Sequence, residues 1–356
     1  MPRPSFRRER RALFPAMLLV GMLATCVGAS AGPWTDISPG GGGAFTAIGG
    51  GPTGVLICGS DMSGAYRSLD HGLTWDRIGF DKGIRRSHIS ALAFDPVDAQ
   101  IFHFGTDVGL YHTGDGGASF VRVIDNGYIG AIAHAWTNPG VVYAARNPSF
   151  DTLTTAIYRS NDHGATWAPV SVGFPDSLRV LKLVVSPQDS NTVYLVSGAD
   201  LFVDGIEAVF RSGDAGVTWT QIGASLGKLW DLDIDPITQG TLYVTGYVGV
   251  SGDVWSGSTY KSIDNGDTWT TISAHTGSIV VRRDQPQTVR VIDTRRNKEE
   301  TESGVWETLD GGTTWNRKST MFGWGAGWQT INRAYGNNAY GVACTRGQDL
   351  SMPDAI

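Results

Sequence analysis

The stretch Ser68–Trp75, SLDHGLTW, gathers side chains that could perform acid–base or nucleophilic chemistry. Asp70 can accept a proton, His71 can transfer one near neutral pH, and the hydroxyl of Thr74 is a candidate nucleophile. The same residues also suit a tight turn, because Asp and Thr side chains bond to nearby backbone and Gly72 tolerates positive φ. The rest of the sequence favours the turn.

The stretch recurs five more times, as TGDGGASF, SNDHGATW, SGDAGVTW, SIDNGDTW and TLDGGTTW, and its aspartates are separated by steps of 45, 47, 52, 50 and 46 residues. A group that is needed six times at a near-constant period is more plausibly part of a scaffold than six active sites. We therefore predict hydrogen-bonded turns, called the acidic turns below, whose closing Trp or Phe packs into the core and whose His71 and His163 are solvated. Their aspartates are Asp70, Asp115, Asp162, Asp214, Asp264 and Asp310.

Two further aspartates follow a different pattern. Gly59-Ser-Asp61 and Gly105-Thr-Asp107 occupy corresponding positions in successive repeats, each after a short apolar segment. If each repeat is a four-stranded unit, these aspartates lie between its second and third strands, at the opposite end from the acidic turns. Inverting glycoside hydrolysis needs two carboxyl groups about 6.5–9.5 Å apart. Asp61 and Asp107 are the candidates for such a pair of carboxyl groups, and a hydrogen-bonded turn is the alternative for each.

The same end of each unit is predicted to receive aromatic side chains and further aspartates. Flat apolar rings beside carboxylates suit a polysaccharide groove, because sugar C–H faces stack on rings while hydroxyls bond to acids. The candidate substrate-binding residues are Tyr128, Trp230, Tyr247, Trp255 and Trp324, with Phe150 and Phe202 also expected there. Further acids expected on these loops are Asp151, Asp200, Asp204 and Asp253.

The period and the strand pattern predict an all-β propeller over residues 32–356, with the acidic turns between the third and fourth strands of most blades. Units such as Ser90–Phe94 and Gln100–Phe104 supply the apolar strands. A seventh unit starts at Gly327 but ends without an acidic turn, and Pro33–Ile37 could pair with it and protect its edge. We predict seven blades, with six blades and an incomplete end as the alternative.

The acidic turns resemble the Asp-box, or BNR, repeat of sialidases, sortilin-type receptors, a plant photosystem assembly factor and glycoside hydrolase family 74. The segments Trp34–Gly43 and Gly59–Arg67 resemble the opening strand, glycine run and aspartate segment in the N-terminal propeller of family 74 xyloglucanases. That resemblance implies a secreted enzyme acting on a plant-type β-glucan such as xyloglucan, with Asp61 as general base. Ser63 departs from it by replacing one of a pair of glycines.

The resemblance covers only part of such an enzyme. Family 74 enzymes have two propellers that face each other across a cleft, and the general acid comes from the second. This chain has room for one, so the alternative is a non-catalytic propeller that binds carbohydrate or protein, or one that works with a second propeller chain. Sialidases fit less well, because no Arg-Ile-Pro motif occurs, and Arg67, Arg159 and Arg211 recur beside the acidic turns as blade-surface residues.

Residues 1–31 have the layout of a secretory signal peptide. Five arginines precede an apolar run, and Ala29-Ser-Ala31 is a small-x-small cleavage site. A poor lipobox ending at Cys26 and a weak twin-arginine pattern at Arg10-Arg11 are alternatives. Cleavage removes five arginines and one glutamate, so the net charge falls from −6 to −10. This predicts a secreted or periplasmic protein without nucleic-acid or membrane partners, and no cofactor or metal is implied.

Overall fold

The computed structural model describes residues 45–149, 154–171, 178–198, 206–223, 226–249, 255–293, 304–319, 329–333 and 341–345. The predicted signal peptide, the strand Pro33–Ile37 and the glycine run Trp34–Gly43 lie outside these residues. Within them, none of the helical segments has the length and apolar character needed to cross a membrane.

Six four-stranded antiparallel sheets follow one another along the chain, and each joins its strands to their neighbours in sequence order. Period-2 alternation of apolar residues and short turns between them produce these meanders. Blades 1 to 3 contain β1 Phe45–Gly50, β2 Leu56–Ser60, β3 Ala65–Ser68 and β4 Asp76–Ile78; β5 Ile89–Phe94, β6 Phe102–Thr106, β7 Gly109–Thr113 and β8 Val121–Asp125; and β9 Tyr128–His134, β10 Val142–Asn147, β11 Ala156–Ser160 and β12 Ala168–Pro169.

Blades 4 to 6 repeat the same order, and the connection between blades 1 and 2 also holds a short 3-10 turn, Phe80–Lys82. Their strands are β13 Val180–Val185, β14 Val193–Ser197, β15 Ala208–Ser212 and β16 Thr220–Ile222; β17 Lys228–Ile234, β18 Leu242–Gly249, β19 Trp255–Ser262 and β20 Thr270–Ser273; and β21 Gly277–Val281, β22 Val289–Asp293, β23 Gly304–Thr308 and β24 Asn316–Ser319.

The all-β propeller is confirmed, but the prediction of seven blades is wrong for the described residues, which form six. After the sixth blade they add only a two-stranded sheet of β25 Gln329–Arg333 and β26 Gly341–Thr345. This sheet contacts both β21 of blade 6 and β1 of blade 1, so it occupies the gap that closes the ring. The acidic turns that mark the first six blades do not extend to this sheet, so their spacing does not define its strands.

The core lies in the seams between blades, where side chains from facing sheets interdigitate. Between blades 1 and 2, Ile57 and Ile89 pack with a cluster of phenylalanines that includes Phe102 and Phe104. Gly59 permits this close approach, since a Cβ there would lie 2.6 Å from the Ile89 side chain. Burying each such side chain contributes roughly 1.5–3 kcal/mol, so the seams dominate the stability of the fold.

The inner strands are also tied to one another by side chains that bond to the backbone of the next blade. Ser90 Oγ donates to the carbonyl of Ile129 at 2.6 Å, linking blades 2 and 3. Asn147 links blades 3 and 4 twice, because its Nδ2 donates to the carbonyl of Val180 and its Oδ1 accepts from the amide of Val180, both at 2.9 Å. These bonds satisfy backbone groups that blade-to-blade packing leaves without a strand partner.

The acidic turns are hydrogen-bonded as the sequence predicts. In the first, Asp70 Oδ1 accepts from the Thr74 amide at 2.8 Å and Oδ2 from the Thr74 hydroxyl at 2.7 Å. Ser68 Oγ donates to the same carboxylate and accepts from the Gly72 amide. The other five turns repeat these bonds. Each closing aromatic packs against a core cluster: Trp75, Phe120, Trp167, Trp219, Trp269 and Trp315.

Each acidic turn has a residue with positive φ between its aspartate and its glycine. That residue is glycine in the second and sixth turns, and elsewhere it is His71, His163, Ala215 and Asn265, with φ from 59° to 64°. In the second to sixth turns the backbone amide of this residue donates to the turn between the first and second strands of the same blade, for example Ala215 to the carbonyl of Asn191 at 2.9 Å. The acidic turn therefore fastens the outer strands to the inner ones.

Candidate functional site

The candidate site lies at the end of the propeller opposite the acidic turns. Here the second strand of each blade turns into the third, and the chain passes from one blade to the next. Asp61 occupies the first position of such a turn in blade 1, directly after β2, and Asp107 occupies the same position in blade 2, directly after β6. The strand order thus places both candidate carboxylates on one face, as predicted.

The turn that carries Asp61 is held by its neighbours. Ser60 Oγ accepts from the amides of Met62 and Ser63, each at 3.3 Å, and from the Ser63 hydroxyl at 2.9 Å. Ser63, which departs from the family pattern, also accepts a bond from the Tyr66 hydroxyl at 3.2 Å, and its carbonyl accepts from Arg77 Nε at 2.9 Å. Asp61 itself is half-buried. A fixed backbone here limits the positions its carboxylate can take.

The connection from blade 1 to blade 2, residues 79–88, is bonded to both aspartate turns. The carbonyl of Ser87 accepts from the amide of Gly64 at 3.1 Å, which ties the connection to the Asp61 turn. One residue earlier, Arg86 Nε lies 3.9 Å from Asp107 Oδ1, and both side chains are about half-exposed. The two candidate carboxylates therefore flank a single segment of chain.

Asp107 stands beside an aromatic and cationic group. Its turn is fixed by Thr106 Oγ1, which donates to the Gly109 carbonyl at 2.8 Å. Burial raises the pKa of the Tyr128 hydroxyl, the neighbouring Arg179 acts in the opposite direction, and the Asp107 charge adds a smaller increase. The Arg179 guanidinium lies 5.5 Å from the centre of the Tyr128 ring, a cation–π distance.

His88 completes this group from the connection between blades 1 and 2. Its ring meets the Tyr128 ring edge-on, with the ring centres 6.0 Å apart. Carboxylate, guanidinium, imidazole and phenol are thus gathered where blades 2 and 3 meet. The arrangement can accept hydrogen bonds from sugar hydroxyls and donate hydrogen bonds to them.

A second aromatic group lies on blade 5. Tyr247 pairs with Lys228 across β17 and β18, at the end of these strands that faces away from the acidic turns. Burial raises the pKa of Tyr247, and the Glu207 charge adds to it. Lys228 Nζ is 3.8 Å from Glu207 Oε1. Trp230 is half-buried at a bulge in β17, between Leu229 and Asp231.

Of the remaining predicted site residues, only Trp255 lies in the described part of the chain. Trp255 begins β19 and is paired through its backbone with Gly249, which is all that is described of it. Outside the described residues lie Trp324, Phe150, Phe202, Asp151, Asp200, Asp204 and Asp253.

The acidic turns have the electrostatics of fixed structural carboxylates. The Thr74 hydroxyl and amide and the Ser68 hydroxyl lower the pKa of Asp70 to about 2. The Thr268 and Ser262 groups lower the pKa of Asp264 to the same value. Carboxylates that stay ionised and fully hydrogen-bonded are poor proton acceptors, so these aspartates are unsuited to act as a general base near neutral pH.

One of the two turn histidines is only in part the solvated residue predicted. His71 is exposed, as expected. The Nδ1 atom of His163 instead lies 2.6 Å from Oδ2 of the fully buried Asp95, so the ring is part of the boundary between blades 2 and 3. The His163 side chain is 43% exposed, so the prediction holds in part but missed the contact with Asp95, because no local pattern indicates that Asp95 faces this turn.

Sequence reasoning missed the connection between blades 1 and 2 as part of the site. Its run Arg85-Arg86-Ser-His88 is a cluster of cations directly before the inner strand β5, in a chain that is otherwise acidic. A local charge reversal at a blade connection is the signal that could have identified it. In the described part of the chain, no three His, Cys, Asp or Glu side chains are grouped in a way that could hold a metal ion.

Comparisons with known proteins place the chain beside xyloglucanases. It is 26% identical over 326 residues to a xyloglucanase of Paenibacillus sp., a match that covers 74% of this chain and 30% of that protein. It is also 27% identical over 246 residues to a xyloglucanase of Hypocrea jecorina, covering 58% of this chain and 29% of that one. The chain thus spans about 30% of the length of these relatives. No family model matches it.

Solved structures share the propeller fold. A family 74 enzyme of Niastella koreensis superimposes with a TM-score of 0.65 at 18% identity, covering 89% of this chain and 54% of that one. The family 74 xyloglucanase of Xanthomonas campestris superimposes with a TM-score of 0.63 at 17% identity, covering 90% of this chain and 55% of that one. The structure of YCF48 bound to D1 peptide superimposes with a TM-score of 0.54 at 16% identity, covering 80% of this chain and 87% of that one.

Proposed function

We propose that this chain is a secreted, glycoside hydrolase-like propeller that acts on or binds a plant-type β-glucan such as xyloglucan through the face carrying Asp61. The observation that supports it most directly is the Asp61 turn itself. Its aspartate lies opposite the acidic turns, on a backbone fixed by Ser60 and Ser63, within a chain similar to xyloglucanases. The connection between blades 1 and 2 bonds to this turn through Ser87 and approaches Asp107 through Arg86.

The proposed mechanism is inversion, with Asp61 as the general base. An ionised Asp61 accepts a proton from a water molecule while that water attacks the anomeric carbon, and a second carboxyl group protonates the leaving oxygen. Asp107 is the proposed partner within the chain. The alternative source of the acid is a second propeller chain that faces this one, in keeping with the 30% of each relative that the chain spans.

A second candidate function is a non-catalytic propeller that binds carbohydrate or protein. It is favoured by one observation: the chain covers 87% of the propeller solved with a bound peptide but only about half of each family 74 structure. A single propeller can present a binding face without supplying both carboxyl groups. Both candidate functions use the same face of the propeller, and only the hydrolase would cleave the glycan.

A reducing-sugar assay on xyloglucan distinguishes them. We expect Asp61→Asn to lower kcat by about 10²- to 10⁴-fold, the usual contribution of a general base, with little change in KM. Asp107→Asn should also lower kcat if Asp107 is the acid. Asp76→Asn is the matched control, because Asp76 is an exposed aspartate on β4 of the same blade. Wild-type protein that binds xyloglucan without cleaving it would establish the binding module for this chain alone and exclude Asp107 as the acid within the chain.

The proposed secretion has its own test. Expression of the full chain in a bacterial host with a periplasm should give exported protein whose mature N-terminus is Gly32, following cleavage after Ala31. Mass spectrometry of the purified protein measures this. A product that keeps residues 1–31, or one with a lipid attached at Cys26, would contradict cleavage at this site.

A further inference from the structure

A chain of four histidines and one aspartate crosses the seam between blades 2 and 3 near the acidic turns. His112 Nδ1 lies 3.0 Å from His103 Nε2, and His103 Nδ1 lies 3.2 Å from His134 Nε2. His134 Nδ1 is 3.9 Å from Asp95 Oδ2, which also meets His163 Nδ1 at 2.6 Å. The proposed glycan face, at the other end of the blades, uses none of these groups.

The corresponding positions in other blades hold residues that do not change charge between pH 5 and 8. The residue before each acidic turn is Arg67, Arg159, Arg211 or Lys261 in blades 1, 3, 4 and 5, but His112 in blade 2. Lys261 Nζ donates to the carbonyl of Gly311 in the next blade at 2.9 Å, and Arg211 donates to that of Asn265 at 3.0 Å. The second residue of the second strand is Tyr143, Tyr194 and Tyr243 in blades 3 to 5, but His103 in blade 2.

The chain is buried at its centre and open at its ends. His103 and Asp95 are fully buried and His134 is nearly so, whereas His112 and His163 are partly exposed. The charged groups that face it are Asp95 from the β5–β6 turn and, from the two neighbouring acidic turns, Asp115 and Asp162.

Burial and neighbouring histidines shape how the chain takes up protons. Burial lowers the pKa of His103 well below its usual value, and the neighbouring histidines lower it further. Burial likewise lowers the pKa of His134, against the opposing attraction of Asp95. Burial lowers the pKa of His112 as well, although Asp162 and Asp115 act in the other direction.

The ring nitrogens face one another in succession and do not converge on one point. A metal ion needs three or more ligands around a common centre, so the geometry is that of a hydrogen-bonded chain. One set of neutral tautomers makes both ring-to-ring hydrogen bonds: Nδ1–H of His112 donates to His103 Nε2, and Nδ1–H of His103 donates to His134 Nε2. His134 then carries its proton on Nδ1, which lies 3.9 Å from the Asp95 carboxylate, beyond hydrogen-bond length. The opposite set of tautomers would place an unprotonated Nδ1 of His134 beside the Asp95 carboxylate, so that two hydrogen-bond acceptors would face each other.

We propose that the seam between blades 2 and 3 is an acid-sensitive junction of the propeller. A proton added to His103 turns its acceptor Nε2 into a donor that faces the N–H of His112. A proton added to His134 does the same against the N–H of His103. Each event breaks a hydrogen bond and places charge in a buried seam, so protonation favours separation of the two blades.

The sign of the pH dependence follows from the lowered pKa values. The unfolded chain binds protons at these histidines as the pH falls below about 6.5, whereas the folded chain resists until lower pH. The contribution of the seam is therefore complete well above pH 6.5 and is lost as the pH falls through that value. For each proton that the unfolded chain binds in excess of the folded chain, a fall of one pH unit raises the unfolding equilibrium constant by up to about tenfold.

Urea unfolding of the full chain between pH 7.5 and 5.0 tests this, because the structural aspartates lose their protons well below that window. We expect the unfolding equilibrium constant of the wild type to rise at least about tenfold on acidification to pH 5.0. The variant H103Y/H112R installs the residues that other blades carry, and its unfolding constant should change much less. His71→Asn is the matched control, because His71 occupies the position of His163 in another blade and should leave the wild-type slope unchanged.

Nitrogen-15 NMR of the wild-type imidazoles gives a measurement that does not depend on any variant folding. Ring pKa values below 6.5 for His103 and His134, with Nδ1–H tautomers at neutral pH, support the junction. Values at or above 6.5 would overturn it, as would a folded H103Y/H112R variant that keeps the full wild-type slope.

Discussion

The aspartates of the acidic turns and the proposed base Asp61 lie in turns of different composition. In the acidic turns every carboxylate oxygen accepts bonds from its own turn, which holds the pKa of Asp70 at about 2. In the Asp61 turn, Ser60 and Ser63 hold the backbone through hydrogen bonds to Ser60 Oγ. The residue type alone does not distinguish the two kinds of aspartate. Their neighbours do, because each acidic turn has a Ser or Thr two residues before its aspartate and another four residues after it.

The acidic turns predict a loss of stability in acid. Their folded pKa values lie near 2, below the ordinary 3.8, so their contribution is present above about pH 4 and is lost as the pH falls toward 2. Asp264→Asn should lower the urea midpoint at pH 5 and make a smaller difference at pH 2, where about half of the wild-type Asp264 carboxyl groups are protonated. A gap between the two proteins that stays constant with pH would contradict the account.

Ala215 marks a position where the acidic turn is strained. It holds φ at 64°, a left-handed conformation that costs a residue with a Cβ roughly 1–2 kcal/mol and that Asn tolerates better. Ala215→Asn should therefore stabilise the protein by about 0.5–1 kcal/mol, measured by urea unfolding. The reciprocal control is Asn265→Ala, which should destabilise it, because Asn265 has φ 62° and also accepts a bond from the Tyr194 hydroxyl. Two changes of the same sign would contradict this explanation.

Strands and turns could be predicted from the sequence, but the bonds between blades could not. The inner strand predicted at Ser90–Phe94 is observed at Ile89–Phe94, because apolar alternation and the following Asp-Pro define it locally. Asn147 precedes a proline, which indicates only a turn. Its two bonds to Val180 depend on how the next blade packs, and no local pattern encodes them. The Arg86–Asp107 contact was missed for the same reason.

The Asn147 link predicts a large effect from one buried polar side chain. Asn147→Ala removes both bonds and leaves the Val180 amide and carbonyl buried without that partner, which should cost about 2–3 kcal/mol. Ser90→Ala is the control, because it removes a single bond to the Ile129 carbonyl and should cost about 1 kcal/mol. Equal costs measured by urea unfolding would show that these bonds are not what holds the inner strands.

At the scale of the whole molecule, the described residues form six blades and a two-stranded sheet that contacts both neighbours of the remaining gap. The repeat period predicted the propeller, yet it could not give the number of complete blades, because the last unit has no acidic turn to mark a fourth strand. The prediction failed where the periodic signal ends.

Closure of the ring by this sheet can be tested by removing it. A chain ending at Ser319 loses β25 and β26 and exposes the faces of β1 and β21 that they contact. We expect a lower melting temperature and broader unfolding than for the full chain, since closure makes the blades mutually dependent. Identical melting curves would show that the two-stranded sheet does not close the ring.

The central claim is that ligand chemistry belongs to the Asp61 face while the acidic turns are structural. Hydrogen-exchange mass spectrometry with and without a xyloglucan oligosaccharide tests it most directly. The account predicts slower exchange at Ser60–Gly64, Arg85–His88 and Thr106–Gly109, with Ser262–Trp269 and Thr308–Trp315 unchanged. Protection centred on the acidic turns, with none at Ser60–Gly64, would contradict it.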